Sequence, residues 1–431
     1  MPIFDLFAPC PRGLEAPLAA ELREIAKRNP LTVGGEVPGG VHFRGDWPAI
    51  MAANLHSRIA SRVLLRMAQR SYRNEDDIFA LAVEQEWEHW FKHQQTLRVD
   101  VTAIKSPLRS LEFVTLRVKD AICDRLRDKS GDRPDIDTTN PDVRVYTFLT
   151  ATHCTVYLDT SGEPLFKRGW RLDKGAAPLR ENLAAGILAL SGWKPGTSFY
   201  DPMCGSGTFI AEATQMALGI APGTHRSFGF EKLKRYETKT WQTMKGAALA
   251  HHREAQNASP DLGIYGSDIS GDMLVKARSN LERAGLPEMP LKQIDARNMT
   301  PPFEAPGILI ANPPYGERIE IRGPRGELRE VRDVAHELGQ DEDEYGYRRE
   351  QPDQTDATFF KAMGDALKQR FTGWQAYILT SDRTLPGQLR LRESLKTPLF
   401  NGALECRLFK FDLIAGSVRQ RPPVAGGDTP A

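Results

Sequence analysis

The pattern of apolar and polar positions divides the chain into three regions. In the first, residues 3–55, the run Ile3-Phe4-Asp5-Leu6-Phe7-Ala8 reads as a strand. Leu14, Leu18, Leu22 and Ile25 then recur at helical spacing. Gly34-Gly35 and Gly39-Gly40 flank short strands, the second being Val41-His42-Phe43-Arg44, and together these predict a small βαβ-like module. In the second region, 56–170, Arg62 to Ala68 reads as a strand leaving a helix. A charged amphipathic helix is expected near Asp76 to Trp90 and another at Arg117 to Leu126. Strands are expected at Leu97 to Ala103, Val143 to Leu149 and Thr155 to Leu158, which makes this an α+β domain.

From about 175 to 415 strand and helix signals alternate. Strands are predicted at Ser198 to Tyr200, Gly263 to Tyr265, Leu291 to Ile294, Ile308 to Ala311 and Ala376 to Leu379. Helices are predicted at Arg180 to Leu190, Gly207 to Leu218, Asp272 to Ala284 and Ala357 to Arg370. This is the signature of a doubly wound α/β domain with a mostly parallel sheet. Asn401-Gly402, between Leu399-Phe400 and the run Leu404 to Phe411, marks a β-hairpin turn. The stretch 320–354 is dense in Arg, Glu and Asp and reads as a surface insertion, a solvated loop rather than an RNA-contacting arm. The Pro- and Gly-rich end, 416–431, reads as a disordered tail.

Composition excludes more than it assigns. The 431 residues are 40% hydrophobic and 26% charged, ordinary for a globular chain of two or three domains. No apolar run reaches the length of a membrane span, and Met1 to Asp5 lacks the character of a signal peptide, so a cytoplasmic protein is expected. Cys10, Cys123, Cys154, Cys204 and Cys406 are scattered and odd in number, and adjacent His251 and His252 point to different helix faces; no metal site is expected. Fifty-seven basic against 56 acidic residues give a net charge of +1, which neither announces nor excludes nucleic-acid binding.

Three motifs carry chemistry. Asp201-Pro202-Met203-Cys204-Gly205-Ser206-Gly207-Thr208 lies between a strand and a helix. Its glycines allow a tight turn and close ligand approach, and the helix N-terminus offers free N–H groups. That end can face the carboxylate of a methionine moiety, with Cys204, Gly205, Ser206 and Gly207 lining it and Asp201 accepting from an amino group. After the next strand, Asp268 is the candidate for two ribose hydroxyls and Ile269 for the face of an adenine. Asp295 follows a third strand, where it can meet the adenine amino group. At the end of the apolar strand 308–311 stands Asn312-Pro313-Pro314-Tyr315. An exocyclic amine on a base is planar because its lone pair is delocalised. The Asn312 amide oxygen and the Pro313 carbonyl can accept its two N–H groups, and Tyr315 can stack on the ring. Positioning and acceptors aimed at developing positive charge then supply the catalysis, and a paired base must first be flipped out. The motifs together point to S-adenosylmethionine as donor and a planar amine as acceptor.

With these residues the third region resembles a class I methyltransferase. The whole chain, from about Phe7 to Asp412, is similar to the THUMP-containing RNA guanine-N2 methyltransferases of the RlmL type, which modify large-subunit ribosomal RNA. The likeness rests on Pro11-Arg12-Gly13-Leu14-Glu15, Gly39 to Phe43, Val118 to Ile122, Arg133-Pro134, Leu158 to Gly162 and Lys167-Arg168-Gly169-Trp170-Arg171. It continues through Pro178-Leu179-Arg180-Glu181-Asn182-Leu183-Ala184-Ala185, the glycine motif and Asn312 to Arg318. The resemblance implies a ferredoxin-like module over 1–55, a THUMP domain that binds RNA over 56–170 and a Rossmann-like catalytic domain over 175–415. It also implies N2-methylation of one guanosine, on naked RNA or on an assembly intermediate. Some members continue into a second methyltransferase domain, so one modification is expected of this chain.

The residues alone add some support for RNA. Arg62, Arg66 and Arg70 share a face in either conformation, and Lys119, Arg125, Arg127, Lys129 and Arg133 cluster along and after one helix. Arg62, Arg66, Lys119, Arg133 and Arg168 are the candidate RNA contacts, although a solvated charged face explains any one of them equally well. Other readings of the tetrapeptide are a THUMP-type tRNA guanine-N2 methyltransferase, an adenine-N6 DNA methyltransferase and a glutamine-N5 protein methyltransferase. An RNA-binding assembly factor with a vestigial catalytic domain is the non-enzymatic alternative.

Overall fold

A computed structural model of the chain describes residues 2–172, 179–257, 261–313, 354–402 and 404–414. The first elements are β1 (Phe4–Pro9), α1 (Glu15–Ala26), β2 (Leu31–Val37), β3 (Gly40–Gly45), α2 (Trp47–His56) and β4 (Leu64–Ser71). β1 pairs antiparallel with β3 and β4, and β2 with β3, so the order is β4-β1-β3-β2. That is a ferredoxin-like βαββαβ unit, larger than the βαβ reading of the sequence. The predicted stripe of α1 is buried through Leu18, Leu22 and Ile25. α2 escapes a periodicity reading because it is buried almost all round, from Trp47 to Leu55. Asp46 caps it, accepting from the Ala49 N–H at 3.1 Å.

α3 (Glu75–Val83), β5 (Leu97–Ala103), α4 (Leu111–Ser130), β6 (Val143–Leu149) and β7 (His153–Asp159) follow. The expected helix at Asp76 to Trp90 is shorter: α3 ends at Val83, and only a 3-10 turn at Trp87–His89 follows. β7 pairs with β4, so both modules share one seven-stranded sheet, β2-β3-β1-β4-β7-β6-β5. Alternation drives this: Val145 and Leu149 of β6 are fully buried while Arg144, Tyr146 and Phe148 are half-buried.

The second sheet belongs to α5 (Glu181–Leu190), β8 (Phe199–Asp201), α6 (Thr208–Ala217), α7 (Thr238–Asn257), β9 (Ile264–Asp268), α8 (Gly271–Arg283), β10 (Leu291–Gln293), β11 (Ile308–Ala311), α9 (Gln354–Arg370), β12 (Gln375–Thr380), α10 (Leu385–Leu389), β13 (Leu395–Asn401) and β14 (Leu404–Asp412). Its order is β10-β9-β8-β11-β12-β14-β13, parallel from β10 to β12, with β14 antiparallel to both its neighbours. The chain reverses between β8 and β11, and ligands of doubly wound sheets sit at such a switch point, beyond the carboxyl ends of the strands. The hairpin register sets Asn401 opposite Leu404, so Gly402 at φ +67° opens the turn. The charged stretch 320–353 and the tail from 415 lie outside the described residues.

The two halves pack tightly. Leu14 fills the place of a missing side chain at Gly186, where an added Cβ would lie 2.3 Å from the leucine Cδ1. Glu212 of α6, fully buried, receives Arg168 at 3.1 Å and Arg58 at 3.5 Å. No helix among the described residues is long and apolar enough to cross a membrane.

Candidate functional site

Parallel pairing sets the carboxyl ends of β8, β9, β10 and β11 on one edge, and the chemistry-bearing residues follow from that. Asp201 ends β8 and Asp268 ends β9. Asn312 immediately follows β11. Ile308 pairs with Phe199 and Leu309 with Tyr200, so Asn312, just past the end of β11, lies on the same edge of the sheet as Asp201 at the end of β8.

The loop between β8 and α6 is held from three sides. The Cys204 N–H donates to the Ser267 carbonyl at 2.9 Å, and the Gly205 N–H donates to Asp268 Oδ2 at 2.8 Å. Asn280 of α8 donates from Nδ2 to the Ser206 carbonyl at 3.0 Å. Gly205 and Gly207 have φ of +51° and +82°, and a Cβ on Gly207 would lie 3.1 Å from Ala277 Cβ. Both glycines are therefore required by conformation, and Gly207 also lets α8 approach. Cys204 and Ser206 are buried. Asn280 is absent from the sequence reading, yet its signal was present: it falls on the apolar face of α8 with Leu274, Ala277 and Leu281, where a polar side chain needs a partner.

Two carboxylates share this edge. Asp201 is 1% exposed and accepts from the Met203 N–H at 3.1 Å. Burial pushes its carboxyl well above the usual range, and the nearby charge of Asp268 adds to this against the Met203 hydrogen bond. Burial also raises Asp268, while N–H groups of Ser270 and Gly205 favour its charged form. Two desolvated carboxyls that repel one another make a place where a cationic ligand is stabilised. Ile269 beside them is 48% exposed, an apolar surface at the rim. Asp295, beyond β10, caps a 3-10 turn and is gripped by Arg297 through both oxygens, at 3.0 and 2.5 Å. Partial burial raises its carboxyl, but the Arg297 bonds outweigh that and hold it low.

On the other side of the switch point, Asn312 Oδ1 is buried and has no hydrogen-bond partner among the described residues. Leaving a buried amide oxygen unpaired costs about 1–3 kcal/mol, so this oxygen has acceptor capacity that none of the described residues uses. Pro313 is buried. Pro314 and Tyr315 lie outside the described residues.

The expected RNA contacts divide. Arg168 is 4% exposed, bound to Glu212 and to the Leu165 and Arg58 carbonyls, and no phosphate reaches it. Arg62 is held by Asp159 and the Gly162 carbonyl, with its guanidinium over the Tyr146 ring. Both are engaged in ion pairs within the protein, Arg168 buried and Arg62 largely so, which argues against either as an RNA contact. Arg66 bonds Asp5 at 2.6 Å and remains partly exposed. Lys119 and Arg133 both lie against Asp120, at 2.9 and 3.6 Å, and are partly exposed. No cluster of three or more His, Cys, Asp or Glu among the described residues could hold a metal.

Comparison with known proteins gives the same order of parts. An RlmL ferredoxin-like domain model matches residues 5–64, a THUMP domain model 72–159, and an RMKL-like methyltransferase domain model 168–338. The ribosomal RNA large subunit methyltransferase K/L of Psychromonas ingrahamii is 37% identical over 94% of this chain, and the chain spans 50% of that protein's length. The "Putative RNA methyltransferase slr0064" of Synechocystis is 34% identical over 94% of this chain and 96% of its own length. The solved structure of SMU.472 complexed with SAH superposes with a TM-score of 0.77 at 27% identity, covering 97% of this chain and 100% of that one. With likeness running nearly the full length of this chain and of the Synechocystis protein, and the three models matched in sequence order, the protein belongs to the THUMP-containing class I RNA methyltransferases of the RlmL type.

Proposed function

We propose that the chain is an S-adenosylmethionine-dependent RNA methyltransferase that places one methyl group on the exocyclic N2 of a guanosine in large-subunit ribosomal RNA, free or in an assembling particle. The observation that carries this reading is the unpaired, buried Oδ1 of Asn312 at the edge that also holds Asp201 and Asp268. The ferredoxin-like and THUMP modules favour RNA over DNA or a glutamine side chain as the polymer.

Bound S-adenosylmethionine supplies an electrophilic methyl group on a sulfonium centre. Asp201 would accept from its ammonium group, Asp268 would hold the ribose hydroxyls, and Gly205 and Gly207 keep the loop free of side chains. Ile269 offers its apolar surface to the adenine. Asp295 would take the adenine amino group on a lone pair that Arg297 leaves free. Asn312 Oδ1 and the Pro313 carbonyl would accept the two N–H groups of the guanine amine and draw its lone pair out of the ring, toward the methyl. As the nitrogen gains its fourth bond its protons become acidic, and one leaves to solvent, so no strong base is required.

Mass spectrometry of ribosomal and transfer RNA from a deletion strain tests the substrate. N2-methylguanosine is expected to fall in large-subunit RNA; unchanged ribosomal RNA with a loss from transfer RNA would replace this substrate with a tRNA. Asp268→Ala should weaken donor binding by about 1–3 kcal/mol, the loss of a charge-assisted hydrogen bond, read by calorimetry. Asp201 gives a pH signature. Its folded-state carboxyl is raised above the unfolded value, so the ligand-free fold loses stability as pH rises from the unfolded pKa through the folded one. Asp201→Asn should therefore raise the neutral-pH Tm of the ligand-free protein by about 2–4 °C for each kcal/mol relieved, while weakening the donor. A lower Tm at pH 7 would contradict that charge state.

A further inference from the structure

Two arginines that the catalytic reading leaves unused converge on one hairpin at the catalytic edge. Arg12, between β1 and α1, lies with its guanidinium carbon 5.7 Å from the centre of the Phe400 ring in β13. Arg180, the residue before α5, lies 5.1 Å over Phe166, and its Nη2 would be 3.4 Å from a Cβ on Gly402. Phe400 and Gly402 are two residues apart at the β13–β14 tip. Arg12 and Arg180 are both exposed, and neither has a carboxylate partner among the described residues. The approach of Arg12 is built into the backbone: Gly13, at φ +93°, lies so close to β13 that a Cβ there would be 2.4 Å from the Pro398 carbonyl oxygen.

The hairpin tip lies on the same side as the candidate site. Thr380, the last residue of β12, pairs with Arg407, so Asn401, Gly402 and Leu404 project beyond the carboxyl end of the parallel strands. β12 is the neighbour of β11, which leads to Asn312, and β14 and β13 follow at one strand spacing of about 4.8 Å each. The tip is thus about 10–15 Å from the strand that presents Asn312, a span of a few nucleotides at one phosphate per about 3.4 Å of stacked strand. The tip's own carboxylate, Glu405, is shared by Arg383 at 3.1 Å and Arg407 at 2.6 Å, which leaves the neighbourhood with an excess of guanidinium charge.

We propose that Arg12 and Arg180 form a two-armed phosphate clamp for the RNA strand flanking the target nucleotide, one arm from the ferredoxin-like module and one from the catalytic domain. Arginine suits the role because its planar fork meets phosphate oxygens in pairs and stacks on an aromatic ring without losing its donors. The clamp rests on the proposed RNA-methylating function and deepens it: it makes the ferredoxin-like module a direct contact for the strand entering the site.

The test uses the full chain, with Arg12→Gln, Arg180→Gln, the double variant and Arg180→Lys. Binding to a fluorescent oligouridylate is measured against salt, and methyl transfer to hypomethylated large-subunit RNA is measured in parallel. Each Gln variant is expected to weaken oligouridylate binding about tenfold at low salt and to reduce the slope of log K against log salt by about 0.7, the value for one phosphate on a single strand. KM for RNA should rise with kcat and donor affinity unchanged, and Arg180→Lys should restore the slope. Unchanged slopes in both single variants would overturn the clamp while leaving the methyltransferase reading intact. If the wild type methylates no RNA yet binds oligouridylate with slopes that fall in the variants, the clamp stands and the substrate reading falls.

Discussion

Asn312→Ala is expected to lower kcat for methyl transfer at least about 10³-fold while leaving donor affinity within a factor of about 3. Removing one preorganised group aimed at developing charge costs about 10²–10³ in enzymes of other chemistries. Here the same oxygen also has to pull the nitrogen lone pair out of conjugation before it can attack, so the loss should lie at the upper end or beyond. Donor affinity is spared because Asp201 and Asp268 end β8 and β9 and the glycine loop follows β8, and none of them hydrogen-bonds the Asn312 side chain among the described residues. Asn312→Asp should recover part of the rate, since a carboxylate accepts the same two-donor amine but cannot offer an amide N–H to the ring. Single-turnover transfer of labelled methyl groups and calorimetry of donor binding separate the two quantities. Retained turnover with donor binding lost would reverse the assignments of Asn312 and Asp268. The Ala variant should also be at least as stable as the parent without ligands, because it deletes a buried polar atom that has no partner among the described residues.

Much of the fold was legible where one face of an element is dry and the other wet. β5, β6 and β11 match the sequence reading at both ends, and α1, α5, α6 and α8 match within a residue or two, because alternation or a helical stripe marks burial directly. α7 was not legible: of its 20 residues Trp241, His252 and Ala255 are buried, too few to set a period. α2 failed for the opposite reason, being buried on nearly every side. The placement of the candidate site was legible because Asp201, Asp268 and Asn312 stand at strand ends, positions that sequence order fixes once the strands are recognised. Asp295 shows the limit, since the sequence placed it at a strand end but not in the grip of Arg297. Arg62 and Arg168 show another. Sequence carries the sign of a charge but not its burial, and their partners Asp159 and Glu212 lie 97 and 44 residues away.

Glu212→Ala should be the most damaging single substitution for stability, costing about 3–5 kcal/mol as the removal of one partner from a buried ion cluster does. Glu212 is fully buried in α6, and it answers two cations that come from the other half of the molecule and from the segment leading into the catalytic domain. Arg58 also contacts Gln215 at 3.3 Å and the Ile220 carbonyl, and Arg168 reaches the Leu165 and Arg58 carbonyls. Without Glu212 two guanidiniums remain desolvated with neutral oxygens alone. Burial already lowers the pKa of Arg58, opposed chiefly by Glu212 and to a smaller extent by Glu21, so losing Glu212 removes the larger part of what offsets that penalty. α6 begins at the glycine loop, so strain at Glu212 is also transmitted to the donor site, and donor affinity should fall together with Tm. Replacing the cluster by apolar groups, Arg58→Met with Arg168→Met and Glu212→Leu, should recover part of the loss, as it removes all three charges at once. Urea unfolding of the single and triple variants measures both. A single variant within 1 kcal/mol of the parent would show that the cluster holds register between the halves without contributing to their stability.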